Sequence, residues 1–133
     1  MEIENIKFKA KRLDNGEWII GSFVVMKIPA LSKTTIGIVA ADGATLHEID
    51  PSTVCQFTGL KDCEGNEIWE GDIISSPHFE RVATVKWDDS LCGFKCSDVT
   101  GNINFCFTAI AHCSEWSIVG NKFDKKSSVW KDK

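Results

Sequence analysis

The sequence predicts a mainly β fold, antiparallel and closed or nearly closed, with at most short helical turns. Three observations predict it. Short runs alternate polar and apolar residues with period two, as in Lys7-Phe8-Lys9-Ala10-Lys11 and Arg81-Val82-Ala83-Thr84-Val85-Lys86-Trp87. Turn signals rich in Gly, Asn and Asp separate those runs at short intervals. No stretch has the spacing of a long amphipathic helix, and no internal repeat is visible. Many short strands joined by such turns bury their apolar faces by packing sheets together or by closing into a barrel. At 133 residues the chain is long enough for one real core.

The elements follow in order. Lys7 to Lys11 is a strand with its lysines on one face and Phe8 and Ala10 on the other. Asp14-Asn15-Gly16-Glu17 closes a hairpin, because Asn and Gly tolerate the positive φ of a two-residue turn. Trp18 to Ile20 and Phe23 to Met26 continue as strand, with Gly21 as a bulge or bend. Pro29 ends that run. Thr34 to Ala40 is β-branched and forms the next strand. Asp42-Gly43 then turns the chain into Thr45 to Ile49. Asp50-Pro51 is a cap followed by a first-turn proline, which predicts one short helical turn. Val54 to Thr58 is extended, Asp62 to Asn66 is a polar loop, and Glu70-Gly71-Asp72 turns into Ile73-Ile74. In the run Arg81 to Trp87, Ala83, Val85 and Trp87 share one face, and Val82, Thr84 and Lys86 share the other. Asp88-Asp89-Ser90 is a turn. Cys92 to Ser97 and Ile103 to Thr108 are strands flanking Thr100-Gly101-Asn102. Ala109 to Glu115 reads as loop or as one helical turn. Trp116 to Val119 is the last strand, and the tail after Phe123 is loose, with Trp130 as its docking residue. Residues 1–133 form one domain with soft lobes: an N-terminal β lobe (1–50), a central segment (51–121) and a tail (122–133).

Composition narrows the function classes. An apolar fraction of 43% and a charged fraction of 26% are ordinary for a globular chain and exclude wholesale disorder. A net charge of −4 argues against a generic nucleic-acid or anionic-membrane binder, since such binding sets Lys and Arg against phosphate. The charge is uneven, however. Ile6 to Arg12 and Lys122 to Lys133 are basic. Asp50, Asp62, Glu64, Glu67, Glu70 and Asp72 stand against one base, Lys61, in the stretch they span. A local basic surface therefore stays open. The start Met1 to Asn5 is polar and acidic, unlike a signal peptide, and no apolar run approaches the ~20 residues of a membrane helix. A cytoplasmic protein is expected. With no secretion signal, Cys55, Cys63, Cys92, Cys96, Cys106 and Cys113 are read as reduced thiols.

The chemistry-bearing residues are sparse. Cys92 and Cys96 are spaced for zinc, with His112-Cys113 downstream. If they lie on one strand, their sulfurs stand ~13 Å apart, too far for one ion, and burial of free thiols is the better reading. His47, His78 and His112 have no nucleophile elbow or Gly-rich phosphate loop to work with. The carboxylates from Glu64 to Asp72 fit a solvated turn, and Asp72 fits a cap on the backbone amides there. No metal and no cofactor is expected. Trp18, Trp69, Trp87 and Trp116 could stack bases on a small β-barrel, although most tryptophans in a small β domain belong to the core. The binding candidates are Lys7, Lys9, Lys11 and Trp18.

Several segments carry a family resemblance. They are Ile6 to Arg12, Gly16-Glu17-Trp18 with Gly21, and the central run Val54-Cys55-Gln56-Phe57-Thr58-Gly59-Leu60-Lys61-Asp62. That run continues as Gly65-Asn66-Glu67-Ile68-Trp69-Glu70-Gly71-Asp72-Ile73-Ile74. With Val85-Lys86-Trp87, Gly93-Phe94 and Ile118-Val119-Gly120-Asn121, these resemble the YopX family of phage and prophage proteins. The resemblance spans residues 6–121. Cys55 and Cys63 depart from the family's usual glycine and lysine-like residue, and the end after Asn121 lacks its usual Asn-Pro-Glu-Leu-like motif. The resemblance implies a mostly β fold with a small-barrel (SH3-like) part in the C-terminal half. It also implies a bacterial mobile-element origin, and it brings no catalytic residues. In physical terms the central run looks structural, since Gly59, Gly65 and Gly71 recur where the chain must turn.

The leading expectation is a non-enzymatic binding or interaction protein, phage- or prophage-encoded, acting on a host or phage macromolecule, protein or nucleic acid. The second is nucleic-acid binding through the Lys7, Lys9 and Lys11 face, and an enzyme comes third. No membrane partner is expected, and a homo-oligomer stays open.

Overall fold

The computed structural model describes residues 2–40, 43, 45–76, 79–98, 104–106 and 116–124, with backbone alone at 79–81 and 104–106. The fold is mainly β, its strands forming two antiparallel sheets without a closed barrel. The strands are β1 (Phe8–Lys11), β2 (Trp18–Ile28), β3 (Lys33–Ala40), β4 (Leu46–Glu48), β5 (Cys55–Lys61), β6 (Glu67–Trp69), β7 (Asp72–Ser76), β8 (Phe79–Asp88), β9 (Gly93–Asp98), β10 (Asn104–Cys106) and β11 (Ser117–Asn121). Short 3₁₀ turns cover Ile3–Asn5, Pro29–Leu31 and Pro51–Thr53. No helix among the described residues is long and apolar enough to cross a membrane. The chain divides into two compact units, Met1–Phe57 and Thr58–Lys133, and the division falls within β5.

In the first unit the strands run β4-β3-β2-β1-β5. The β1–β2 hairpin forms where expected, but its turn is longer than a two-residue one. Gly16 donates its N–H to Arg12 O, and Arg12 donates to Glu17 O. Gly16 takes a positive φ of 71° while Asn15 does not. Asn15 acts through its side chain instead, its Oδ1 accepting from the Glu17 N–H at 2.9 Å. Gly21 is also no bulge, since its pairing with Phe8 and Ala40 is unbroken. It is glycine because a Cβ there would stand 2.0 Å from Val39 O. Past β4 the chain ties the sheet back on itself. Ile49 donates to Ile36 O on β3, Asp50 donates to Lys11 O on β1, and Leu13 donates to Glu48 O. The cap at Asp50 is as expected, with its carboxylate accepting from the Ser52 N–H at 3.0 Å. The core is Ala10, Ile38 and Ile49, with Phe8, Ile19, Phe23, Ile36 and Val54 packed around it. Period-two alternation selects these side chains: β2 and β3 place Phe23 opposite Ile38 on one face.

In the second unit β6 follows β5, and a five-stranded sheet runs β10-β9-β8-β7-β11. Ile68, Ile74, Ala83, Val85, Cys96 and Trp116 form its core, with Leu60, Phe94 and Ile118 against them. Ala83 and Val85 share a face as expected. Val82, on the opposite face, is buried too, in a smaller cluster with Ile73 and Val119. Trp87 shares the core face but sits at the strand's end, where the core runs out, and is 43% exposed. The expected small barrel of SH3-like form is corrected here, since the sheet order ends on β10 and β11 and does not close. Alternation and turn spacing report strands and faces. They do not report which edges meet. Gly59 lies inside β5, not between strands. The readings for Asp42, His78, Thr100 to Asn102, Ala109 to Glu115, Cys113 and Trp130 lie outside the described residues.

Candidate functional site

The β1–β2 register places Lys9 opposite Ile20 and Lys11 opposite Trp18. Phe57 donates its N–H to Lys7 O at 3.1 Å, which sets Lys7 against β5 in the same ladder. Alternation then directs Lys7, Lys9, Lys11 and Trp18 to one face, opposite the face that carries Ala10 and Phe8. Each lysine lies over an aromatic ring. Lys9 Nζ is 4.7 Å and Lys11 Nζ 5.3 Å from the centre of the Trp18 ring, and Lys7 Nζ is 4.8 Å from that of Phe57. These are cation–π distances, at which the ring's negative face attracts the ammonium. The three lysines and Trp18 are half-buried, so the stems lie along the sheet. All four candidates are therefore brought together as a row of positive charge on an aromatic floor. Such a row suits phosphate or carboxylate. It is less suited to base stacking, because ammonium groups already occupy the Trp18 ring.

The remaining candidates fall elsewhere. Trp69 and Trp116 are buried. Trp87 belongs to the second unit, where its Nε1–H donates to Asp89 at 2.7 Å and its ring meets Phe94 edge-on at 5.2 Å. β9 begins at Gly93, so Cys92 lies in the preceding turn with φ of 51°, not on the strand with Cys96. Cys96 is buried in the core. No group of three or more His, Cys, Asp or Glu able to hold a metal exists among the described residues. His47, on β4, lines a shallow pocket of about 220 Å³ with Arg12, Leu13, Asp14, Leu46 and Glu48. The pocket's carboxylates are already engaged: Arg12 hydrogen-bonds Asp14, holding its carboxyl below the usual range, and Lys33 pairs with Glu48 at 3.8 Å.

Sequence reasoning missed the part played by Asp62. Its Oδ1 accepts from the N–H groups of Glu64 (2.9 Å) and Asn66 (2.8 Å), and its Oδ2 accepts from Ile118 (3.2 Å). Burial works to raise this carboxyl, but the amides of Asn66, Ile118 and Glu64 outweigh it and hold it below its ordinary value. Asp72 is the cap it was read to be, its Oδ2 accepting from the Trp69 N–H at 2.7 Å. Its Oδ1 also accepts from the Asn121 side chain at 2.9 Å. Gly71 between them has φ of 88° and donates to Val85 O at 2.7 Å. The Asp-x-x-Gly-Asn and Gly-Asp spacings were the available signal for these two acids. The central run therefore builds buried corners.

No curated protein matches the chain. A family model described as YopX protein matches residues 7–126, the stretch that holds both the lysine row and the buried corners. The chain belongs to the YopX family.

Proposed function

We propose that this chain is a phage- or prophage-encoded, non-enzymatic binding protein of the bacterial cytoplasm, engaging an anionic macromolecule through Lys7, Lys9 and Lys11. Family membership supports the phage-type origin. One observation carries the binding reading: three lysines on one face of the first unit, each over an aromatic ring. In a chain of net charge −4, such a row concentrates positive charge where the rest of the protein does not. The rings also restrain the ammonium groups before a partner arrives, so less side-chain freedom is lost on binding.

The test is capture of partners from a host lysate by the full chain, with and without nuclease, beside a Lys9→Glu/Lys11→Glu double variant. Retention by the wild type and loss in the variant is the expected result. Loss of retention after nuclease treatment selects nucleic acid, and persistence selects an acidic protein. Nothing retained in either arm, or equal retention by the variant, defeats the reading. For nucleic acid, binding of a single-stranded oligonucleotide must fall steeply as salt rises, because each lysine–phosphate contact releases counterions.

A further inference from the structure

We propose that β2 carries an open edge on which a second copy of this chain pairs, giving a two-fold dimer with one continuous sheet. The starting point is a mismatch in strand lengths. β3 pairs with β2 from Gly21 to Ile28, whereas β1 pairs with it only from Trp18 to Gly21. Beyond Gly21, β2 therefore has a strand neighbour on one side only among the described residues. The chain before β1 does not fill the gap, because it folds into the Ile3–Asn5 turn, where Ile6 donates to Ile3 O.

The hydrogen-bond phase says which groups face that gap. Arg12 donates to Glu17 O, so this pair is a hydrogen-bonded one. Such pairs alternate along an antiparallel ladder, which makes Ala10–Ile19 and Phe8–Gly21 hydrogen-bonded as well. Two residues at a time, the same phase continues to Phe23, Val25 and Lys27. Their N–H and C=O groups point to the side that β1 has vacated, over a length of roughly 17 Å. Side chains along this stretch are apolar and open to solvent: Val25 is 51% exposed and Met26 is 44% exposed. Long apolar edges of this kind are templates for another strand unless a charge or proline interrupts them, and this one carries only Lys27.

The edge is complementary to itself. Antiparallel pairing about Val25 sets Val25 opposite Val25 of the second copy and each Phe23 opposite the other copy's Lys27. All three outward residues then exchange bonds, about six in total. The register keeps the two Lys27 charges apart, and no acid or second charge intervenes between Trp18 and Ile28. Opposed residues in such a ladder share a face, so the lysine-bearing face of one copy continues into that of the other. The dimer is independent of the binding reading above, and its test does not use the lysines.

The experiment is light scattering on the full chain over a range of concentrations, with far-UV circular dichroism as the check on folding. Val25→Pro removes an N–H on the open edge only, since the bonds to β3 come from the alternate residues Val24 and Met26. Val25→Lys sets like charges opposite each other at the two-fold centre and serves if the proline variant misfolds. The expected result is a wild-type dimer that dissociates on dilution, and a mass halved in either folded variant. A wild type that is monomeric at every concentration overturns the proposal, and so does a dimer that persists in either folded variant.

Discussion

Removing the Asp62 carboxylate should weaken the second unit in a way that acid also does. In Asp62→Ala, three main-chain N–H groups lose their acceptor, at 2.8, 2.9 and 3.2 Å. A hydrogen bond to a charged group contributes about 1.5–3 kcal/mol, and an orphaned buried donor costs a similar amount. Glu64 and Asn66 lie in an exposed loop and recover water, so most of the loss falls on Ile118. The expected destabilisation is therefore about 2–4 kcal/mol, below the sum of three full bonds. The sign with pH follows from the lowered carboxyl. Its stabilisation is complete above the ordinary value of 3.8 and is lost as pH falls through the lower value of the folded state. Urea unfolding of wild type and variant at pH 7, and again below pH 3.8, measures the gap at each pH. Asp14 and Asp88 are also lowered, but both proteins contain them and they cancel in the difference. A gap under about 0.5 kcal/mol at pH 7, the size of an ordinary surface change, would falsify the reasoning. A gap that stays constant on acidification would also count against it.

Two further outcomes follow from the same structure. Gly71→Ala meets only ordinary contacts at 3.5 Å from Asn121, Lys122 and Phe123, so its cost comes from the φ of 88° and should be about 1–2 kcal/mol in urea unfolding; an unchanged midpoint contradicts that attribution. Brief maleimide labelling of the native protein, read peptide by peptide in a mass spectrometer, should modify exposed Cys63 and Cys92 and spare buried Cys55 and Cys96 until denaturant is added; early labelling of Cys96 would show that the second core is not as packed as described.

Legibility in the sequence followed distance along the chain. The Asp50 cap and the β1–β2 hairpin are local, and turn chemistry alone located them. The lysine face was readable because period two is a local property and Lys7, Lys9 and Lys11 keep it. Their aromatic floor was only half readable. Trp18 reaches Lys9 and Lys11 across a short hairpin, but Phe57 reaches Lys7 through a pairing that closes a long loop. Gly21 was misread for a related reason. Its lack of a side chain answers the approach of Val39 O from a neighbouring strand, not a bend in its own. Asp62 looked like one acid among several in a polar turn because its bond to Ile118 spans 56 residues. The barrel expectation failed at the same level, since closure depends on which sheet edges meet.

The hydrogen bond between Asp72 and Asn121 has a consequence for the order of events as the chain leaves the ribosome. The two residues are 49 apart, and β7 must also wait for β11. Once Phe57 has emerged, the first unit holds every residue of its core and can fold at once. The second unit then has Trp69, Asp72 and the β7 edge in place but no Asn121 to complete them. It must remain partly open while some fifty more residues are made, several seconds at ordinary translation rates of about 5–20 residues per second. A nascent chain stalled between β10 and β11 would therefore present a finished first unit joined to an unfinished second one.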